Sequence, residues 1–181
     1  PAAAGALAAA AWAAAERPLS RLLGTGYTDV RLLGAPLSRR RWRAAGTALH
    51  LANGAAAGIA FHRLGLRGWK QGVAAALVEN AVLWPGMAAV DRLHPDRRSG
   101  AWPPLLRNGR VFLQESAVHA LFGAVLGGCY ATASAVGSTP GADPVAVRGS
   151  QTTKVAPAPS SEKTSTEPRC ASAIWRTIAS P

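Results

Sequence analysis

The stretch Val111–Tyr130, VFLQESAVHALFGAVLGGCY, is a long apolar run that carries polar residues in its first half. Residues four apart in an α-helix lie on the same face. One such stripe in this run consists of Glu115, His119, Gly123 and Gly127. The run therefore predicts a helix on which an acid and a histidine precede a GxxxG surface. Membrane helices use small residues at this spacing to bring their backbones close together.

An earlier apolar stretch, residues 44–61, repeats this arrangement. His50 is followed at the same spacing by Gly54 and Gly58. A second echo is the acid–arginine pair that ends an apolar run, Glu16-Arg17 in one place and Asp91-Arg92 in the other. These matches suggest a parallel internal repeat, in which each unit is a helix, a basic loop and a returning helix. In an alanine-rich chain such a repeat stays a hypothesis.

Composition favours a membrane protein over a nucleic-acid binder. The chain has 181 residues, 49% of them hydrophobic and only 16% charged, with a net charge of +11. Its basic residues flank apolar runs, which is the membrane pattern. Nucleic-acid binding needs basic residues clustered on one face. We therefore expect the lipid bilayer as a partner and no nucleic acid.

The apolar runs predict an all-α, polytopic membrane bundle, domain 1–134, with a disordered Ser/Thr/Pro/Ala-rich tail, 135–181. The expected spans are about 1–15, 44–62, 72–90 and 111–134, and Pro85 is expected to kink the third because it removes one helix hydrogen bond. The first is read as truncated, because a 14-residue helix reaches about 21 Å of the roughly 30 Å hydrocarbon core. A signal-peptide segment is the alternative for this first run. A soluble helical bundle is the main alternative fold, although helices two to four show little polar face.

The distribution of basic residues predicts the orientation. Loops 16–43 and 91–110 hold twelve of the twenty Lys and Arg residues, whereas the 63–71 loop holds three. The positive-inside rule then places the first two loops in the cytoplasm and the C-terminal tail outside it. The expected location is the cell inner (plasma) membrane.

Polar residues inside the predicted spans are the candidates for chemistry, because ionisable groups are costly in a bilayer. The predicted polar cluster is His50, Glu79, Glu115 and His119, with Asn53, Asn80 and Gln114 as uncharged companions. Counted from the helix ends, the four ionisable residues lie in the same half of the bundle. We favour polar groups that bond across helices and set their register. A proton or ion path is the first alternative. A metal site of two His and two Glu is the second, although Glu115-xxx-His119 departs from the di-iron Glu-xx-His spacing.

The predicted function is that of a non-enzymatic multi-pass membrane component of unknown biochemical role. The alternatives are a small proton- or ion-coupled transporter and a membrane-embedded metal-dependent enzyme. The sequence contains no P-loop, GxSxG, HExxH, CxxC or GxGxxG motif. We therefore assign no cofactor, no metal ligands and no named family. A transport role would favour a homo-oligomer through the GxxxG faces.

Overall fold

Every regular element in the described part of the chain is helical, which confirms the predicted all-α class. The computed structural model describes residues 1–137. Its α-helices are α1 (Ala2–Leu23), α2 (Asp29–Gly34), α3 (Trp42–Arg63), α4 (Trp69–Leu83), α5 (Met87–Leu93), α6 (Pro95–Arg98) and α7 (Gly109–Gly137). Beyond the end of α7, the predicted disordered tail lies outside the described residues.

The end of the first helix differs from the sequence analysis. Helix α1 continues beyond residue 15 to Leu23 although Pro18 lies inside it. Tertiary packing overrides propensity here, because the Glu16 and Ser20 side chains of this part are buried. It ends at Gly24, whose φ of 65° allows the left-handed cap in which the Gly24 and Thr25 amides bond back to Arg21 and Ser20 carbonyls. The predicted 16–43 loop is therefore half helical.

The third predicted span is interrupted where the sequence contains a proline. Helix α4 ends at Leu83, and a short 3-10 turn, Trp84–Gly86, leads into α5. Pro85 has no backbone N–H to continue the helical ladder, which accounts for the break. The sequence analysis therefore located this irregularity correctly.

Helix α1 packs against α3 through glycines. A Cβ atom added at Gly5 would lie 2.9 Å from the Gly58 Cα atom, and one added at Gly54 would lie 2.7 Å from the Gly5 carbonyl oxygen. Real Cβ contacts are never this short, so the two backbones touch directly.

Helices α4 and α7 form the corresponding pair. A Cβ atom at Gly123 would lie 2.7 Å from the Val73 amide nitrogen, and one at Gly127 would lie 2.8 Å from the Trp69 Cα atom. The GxxxG surfaces of α3 and α7 are thus covered by α1 and α4 of the same chain. Self-association through them stays a prediction.

The two basic loops meet at one end of the bundle. Arg31 of α2 donates two hydrogen bonds to Asp96 of α6, at 2.8 and 2.7 Å. The Trp102 indole N–H donates to the Gly26 carbonyl at 3.1 Å. At the other end, near the α3–α4 turn, the Tyr130 hydroxyl donates to a carbonyl of α3 at 2.9 Å. The structure therefore separates the basic loops from the 64–68 turn by the length of the helices.

Two helical segments of the described chain are long and apolar enough to cross a membrane, Trp69–Leu93 and Gly109–Thr132. The outer face of α4 is largely apolar, with Val78 and Val82 63% and 70% exposed, although Glu79 is exposed as well. Helix α1 carries charge in its second half, and α3 is dominated by Ala and Gly. Neither α1 nor α3 is apolar enough to span a membrane on its own composition, so the four predicted spans are not confirmed.

Substitution of Gly127 by alanine should destabilise the protein, whereas the same change at Gly128 should not. The Gly127 Cβ would meet the backbone of residues 68 and 69, but the Gly128 Cβ would meet nothing within 4 Å. We expect Gly127→Ala to lower the free energy of unfolding by about 1–3 kcal/mol. Gly128→Ala should raise it by up to about 1 kcal/mol. Unfolding of the purified protein by SDS from mild detergent measures both, and equal stabilities would contradict the α4–α7 contact.

Candidate functional site

The two predicted histidines meet around a tryptophan of α1. The His50 Nε2 atom lies 3.1 Å from the Ala9 carbonyl oxygen, and the His119 Nδ1 atom lies 2.7 Å from the Glu115 carbonyl oxygen. The ring centroid of Trp12 is 5.2 Å from that of His50 and 4.3 Å from that of His119. Each histidine thus has one ring nitrogen within hydrogen-bond distance of a backbone carbonyl, and both rings pack against the Trp12 indole.

Glu79 and Asn53, two other members of the predicted set, are exposed in the chain. Their neighbour Asn80 is buried instead, and its side-chain amide donates to the Ser116 hydroxyl of α7 at 3.1 Å. The predicted convergence of four ionisable residues is therefore incomplete, because α4 turns Asn80 and not Glu79 toward α7.

Gln114 is fully buried and connects α7 to the segment after α1. Its side-chain carbonyl accepts a hydrogen bond from the Thr25 hydroxyl at 2.5 Å, and its amide donates to the Tyr27 carbonyl at 3.2 Å. Because both halves of the amide are used, Gln114 holds the 24–28 turn against α7.

Glu115 meets two acids that the sequence analysis assigned to a loop. Carboxylate oxygens of Glu16, Asp29 and Glu115 all lie within 4.8 Å of one another. We refer to these three residues as the carboxylate triad. Three elements supply it: the second half of α1, the first residue of α2 and the buried stripe of α7. No local sequence pattern joins these positions, so only the packing of the helices brings them together.

Few donors serve the carboxylate triad. The Tyr27 hydroxyl donates to Asp29 Oδ1 at 2.5 Å, and the Asp29 amide donates to Glu16 Oε1. Burial, followed by the nearby Asp29 carboxylate, raises the pKa of Tyr27 well above its ordinary value, so the hydroxyl keeps its proton and stays a donor. Glu115 Oε1 is buried and has no hydrogen-bond partner among the described residues.

The triad also lacks a positive neighbour. Glu16 and Glu115 are each 1% exposed, and Asp29 is half-buried. No Lys or Arg of residues 1–137 forms an ion pair with any of the three. Three carboxylates at this separation cannot all stay charged and uncompensated, because burial and like charge both disfavour ionisation. The site must therefore hold protons or an added cation.

Asp91, at the end of the other apolar run, is a compensated counterpart of Glu16. Its Oδ1 accepts from Arg97 Nε and from the Leu105 amide, both at 2.8 Å, and its Oδ2 accepts from the Leu106 amide at 3.0 Å. In the first half of the chain, Glu16 likewise binds a backbone amide of the returning segment. An arginine balances Asp91, whereas two further acids surround Glu16.

Three neighbouring aromatic rings link the loops beside the triad. Tyr27 meets Trp102 edge-to-face with the ring centroids 5.0 Å apart, and Trp102 stacks on His94 at 4.5 Å. Burial lowers the pKa of His94 below its ordinary value despite the nearby Asp96 carboxylate, so the ring stays neutral near pH 7. The His94 Nδ1 atom then accepts the Asp96 amide at 3.2 Å.

Sequence reasoning missed most of this region. It placed both Glu16 and Asp29 in the 16–43 loop. The usable signal was the repeated acid–arginine pair, since Glu16 and Asp91 both turn out to anchor the loop that follows their helix.

Comparison of the chain with known protein families, with curated proteins and with solved structures finds no match. The site therefore has to be interpreted from its own chemistry.

Asp91→Asn should loosen the 103–108 loop. Both oxygens of the carboxylate accept hydrogen bonds, so the amide nitrogen of asparagine would face a donor in either orientation. We expect a loss of about 2–3 kcal/mol in the free energy of unfolding, the cost of disrupting bonds to a charged group. Hydrogen exchange should accelerate at the Leu105 and Leu106 amides. Glu79→Gln, at an exposed acid, is the matched control, and unchanged exchange in Asp91→Asn would contradict the anchoring role.

Proposed function

We propose that the protein is a small, non-enzymatic, multi-pass membrane component with four helical segments that cross the bilayer. These segments are α1, α3, α4 with α5, and α7. Two of them are long and apolar enough to span on their own composition. The other two, α1 and α3, would span the membrane packed against the apolar helices. Their glycines contact each other, and side chains of both helices belong to one hydrophobic cluster with α4 and α7.

The observation that carries the proposal is the way in which buried polar groups are used. His50 bonds to the backbone of α1, Asn80 bonds to α7, and Gln114 bonds to the 24–28 turn. Each of these bonds joins different segments, which is how polar side chains hold membrane helices in register. Together with the backbone contacts at the glycines, these hydrogen bonds favour a structural role, in which the helices keep one fixed arrangement.

The outer surface supports a lipid environment. Exposed aliphatic side chains continue along α4 and the beginning of α7, including Val78, Val82, Leu83 and Leu113. In water, an exposed apolar surface of this kind is an aggregation liability, although Glu79 interrupts it. In a bilayer it is the surface that contacts acyl chains. Most of the arginines lie at the end of the bundle where the two basic loops meet, as a cytoplasmic membrane face would require.

The expressed full chain should behave as an integral membrane protein. It should sediment with the membrane fraction, resist alkaline carbonate extraction and enter solution only with detergent, because apolar helices partition into lipid. A peripheral membrane protein carried through the same steps is the control. Recovery in the aqueous phase without detergent would support the soluble bundle instead.

Epitope tags in three loops should show on which side of the membrane each loop lies. Insertions after Leu37 and after Gly100 lie at the basic end, and an insertion after Gly65 lies in the opposite turn. We expect the first two tags to be reached by antibody only after the membrane is permeabilised, and the Gly65 tag to be reached in intact spheroplasts. Access to the Leu37 and Gly65 tags from the same side would contradict a spanning α3.

A further inference from the structure

We propose that the carboxylate triad, Glu16, Asp29 and Glu115, binds one divalent cation of the hard class that oxygen ligands select, namely Mg²⁺, Ca²⁺ or Mn²⁺. The site lies within one chain and involves no residue of a partner. It does not rest on the membrane location, because the same helix packing would assemble it in a soluble bundle.

The separation of the three carboxylates fits a shared ion. Their ligand oxygens lie within 4.8 Å of one another. Oxygen ligands lie about 2.0–2.6 Å from these cations, so two ligands of one ion can be at most about 4–5 Å apart. At that upper limit the centre of the three oxygens lies about 2.8 Å from each, slightly more than a Ca²⁺–oxygen distance, so one ion can contact all three carboxylates after small side-chain shifts with the helices in place.

The unpaired oxygen of Glu115 is the second observation. Glu115 is 1% exposed, and its Oε1 atom is buried without a hydrogen-bond partner in the described part of the chain. Buried polar atoms in folded proteins are nearly always satisfied, and an exception calls for a missing ligand or a proton. A cation between Glu115 and the other two acids would supply the absent partner.

Charge balance favours a cation of more than one charge. The counterpart acid Asp91 carries its compensation in the chain, as Arg97. Among residues 1–137, no Lys or Arg pairs with Glu16, which instead faces Asp29 and Glu115. A divalent ion would neutralise two of the three negative charges. Asp29 already accepts a hydrogen bond from the Tyr27 hydroxyl, and Glu16 accepts one from the Asp29 amide, so these donors help to stabilise the charge that remains.

The donor set argues against a soft transition metal. His119, one helical turn from Glu115, has its Nδ1 against the Glu115 carbonyl, and no histidine of residues 1–137 belongs to the group of converging ligand atoms. The site therefore offers oxygen alone, which suits hard cations. Asp29 is its partly exposed member and provides access from the basic end of the bundle. Since Glu16 and Glu115 are buried, the geometry describes a resident ion that ties α1, α2 and α7 together.

Manganese provides a direct probe. The full-length protein, purified in detergent and stripped with EDTA, would be titrated with MnCl₂ while the EPR signal of free Mn²⁺ is recorded. We expect one Mn²⁺ per chain, with CaCl₂ and MgCl₂ tested as competitors. Glu115→Gln should weaken binding by at least about tenfold, since removal of even an outer-sphere partner costs 10–100-fold. Glu79→Gln makes the same change at an exposed acid outside the site and should bind as the wild type does.

Thermal unfolding provides a second readout. Without metal, Glu115→Gln should unfold at a higher temperature than the wild type, because it removes a buried negative charge without changing volume. At a cation concentration about 100-fold above Kd, the Tm of the wild type should rise by on the order of 5 °C, and that of Glu115→Gln should not. Asp29→Asn, at the partly exposed member, gives the same comparison if Glu115→Gln does not fold.

Two results would overturn the cation site. The first is a wild-type chain that binds no Mn²⁺ at millimolar concentration. In that case protonation of the carboxylates, and not a cation, reduces the negative charge of the triad. The second is a pair of variants, Glu115→Gln and Asp29→Asn, that bind Mn²⁺ as tightly as Glu79→Gln does. Neither result bears on membrane insertion, which carbonate extraction and tag accessibility test separately.

Discussion

Direct contact between helix backbones is the constraint on which the structure depends. Gly5 brings α1 against α3, and Gly72 brings α4 against α7, at distances that leave no space for a methyl group. Backbones this close fix the rotation of each helix about its own axis. That rotation decides which side chains point inward, so Asn80 and not Glu79 is buried in α4, and Glu115 is buried in α7.

The two helix pairs that pack through glycines, α1 with α3 and α4 with α7, are similar in a way that the suggested internal repeat would explain. In both halves, a glycine of the first helix meets the two glycines of the returning helix, and an acid at the end of an apolar run accepts a hydrogen bond from an amide of the segment that follows. The halves differ in the treatment of that acid. Asp91 is balanced by Arg97, whereas Glu16 is drawn into a group of carboxylates.

Patterns that depend on neighbours along the chain were read correctly from the sequence. Helical class, the His-before-GxxxG stripes of α3 and α7 and the break at Pro85 all follow from spacing on one helix. The predicted end of α1 was too early, because the charged segment that contains Pro18 favours a loop by itself, whereas burial of Glu16 and Ser20 keeps it helical. The burial of Trp12 between His50 and His119 could not be read at all, since it depends on three helices.

The sequence by itself determined that the chain forms apolar helices, which faces carry glycine and histidine, and that the basic residues gather in two loops. Those properties are set by the order of residues within one segment. Only the tertiary structure decided that Glu16, Asp29 and Glu115, which lie far apart in the chain, form one buried carboxylate group. The physical reason is that helix rotation and the path of the connecting turns are set by packing between segments. A one-dimensional pattern does not record such packing.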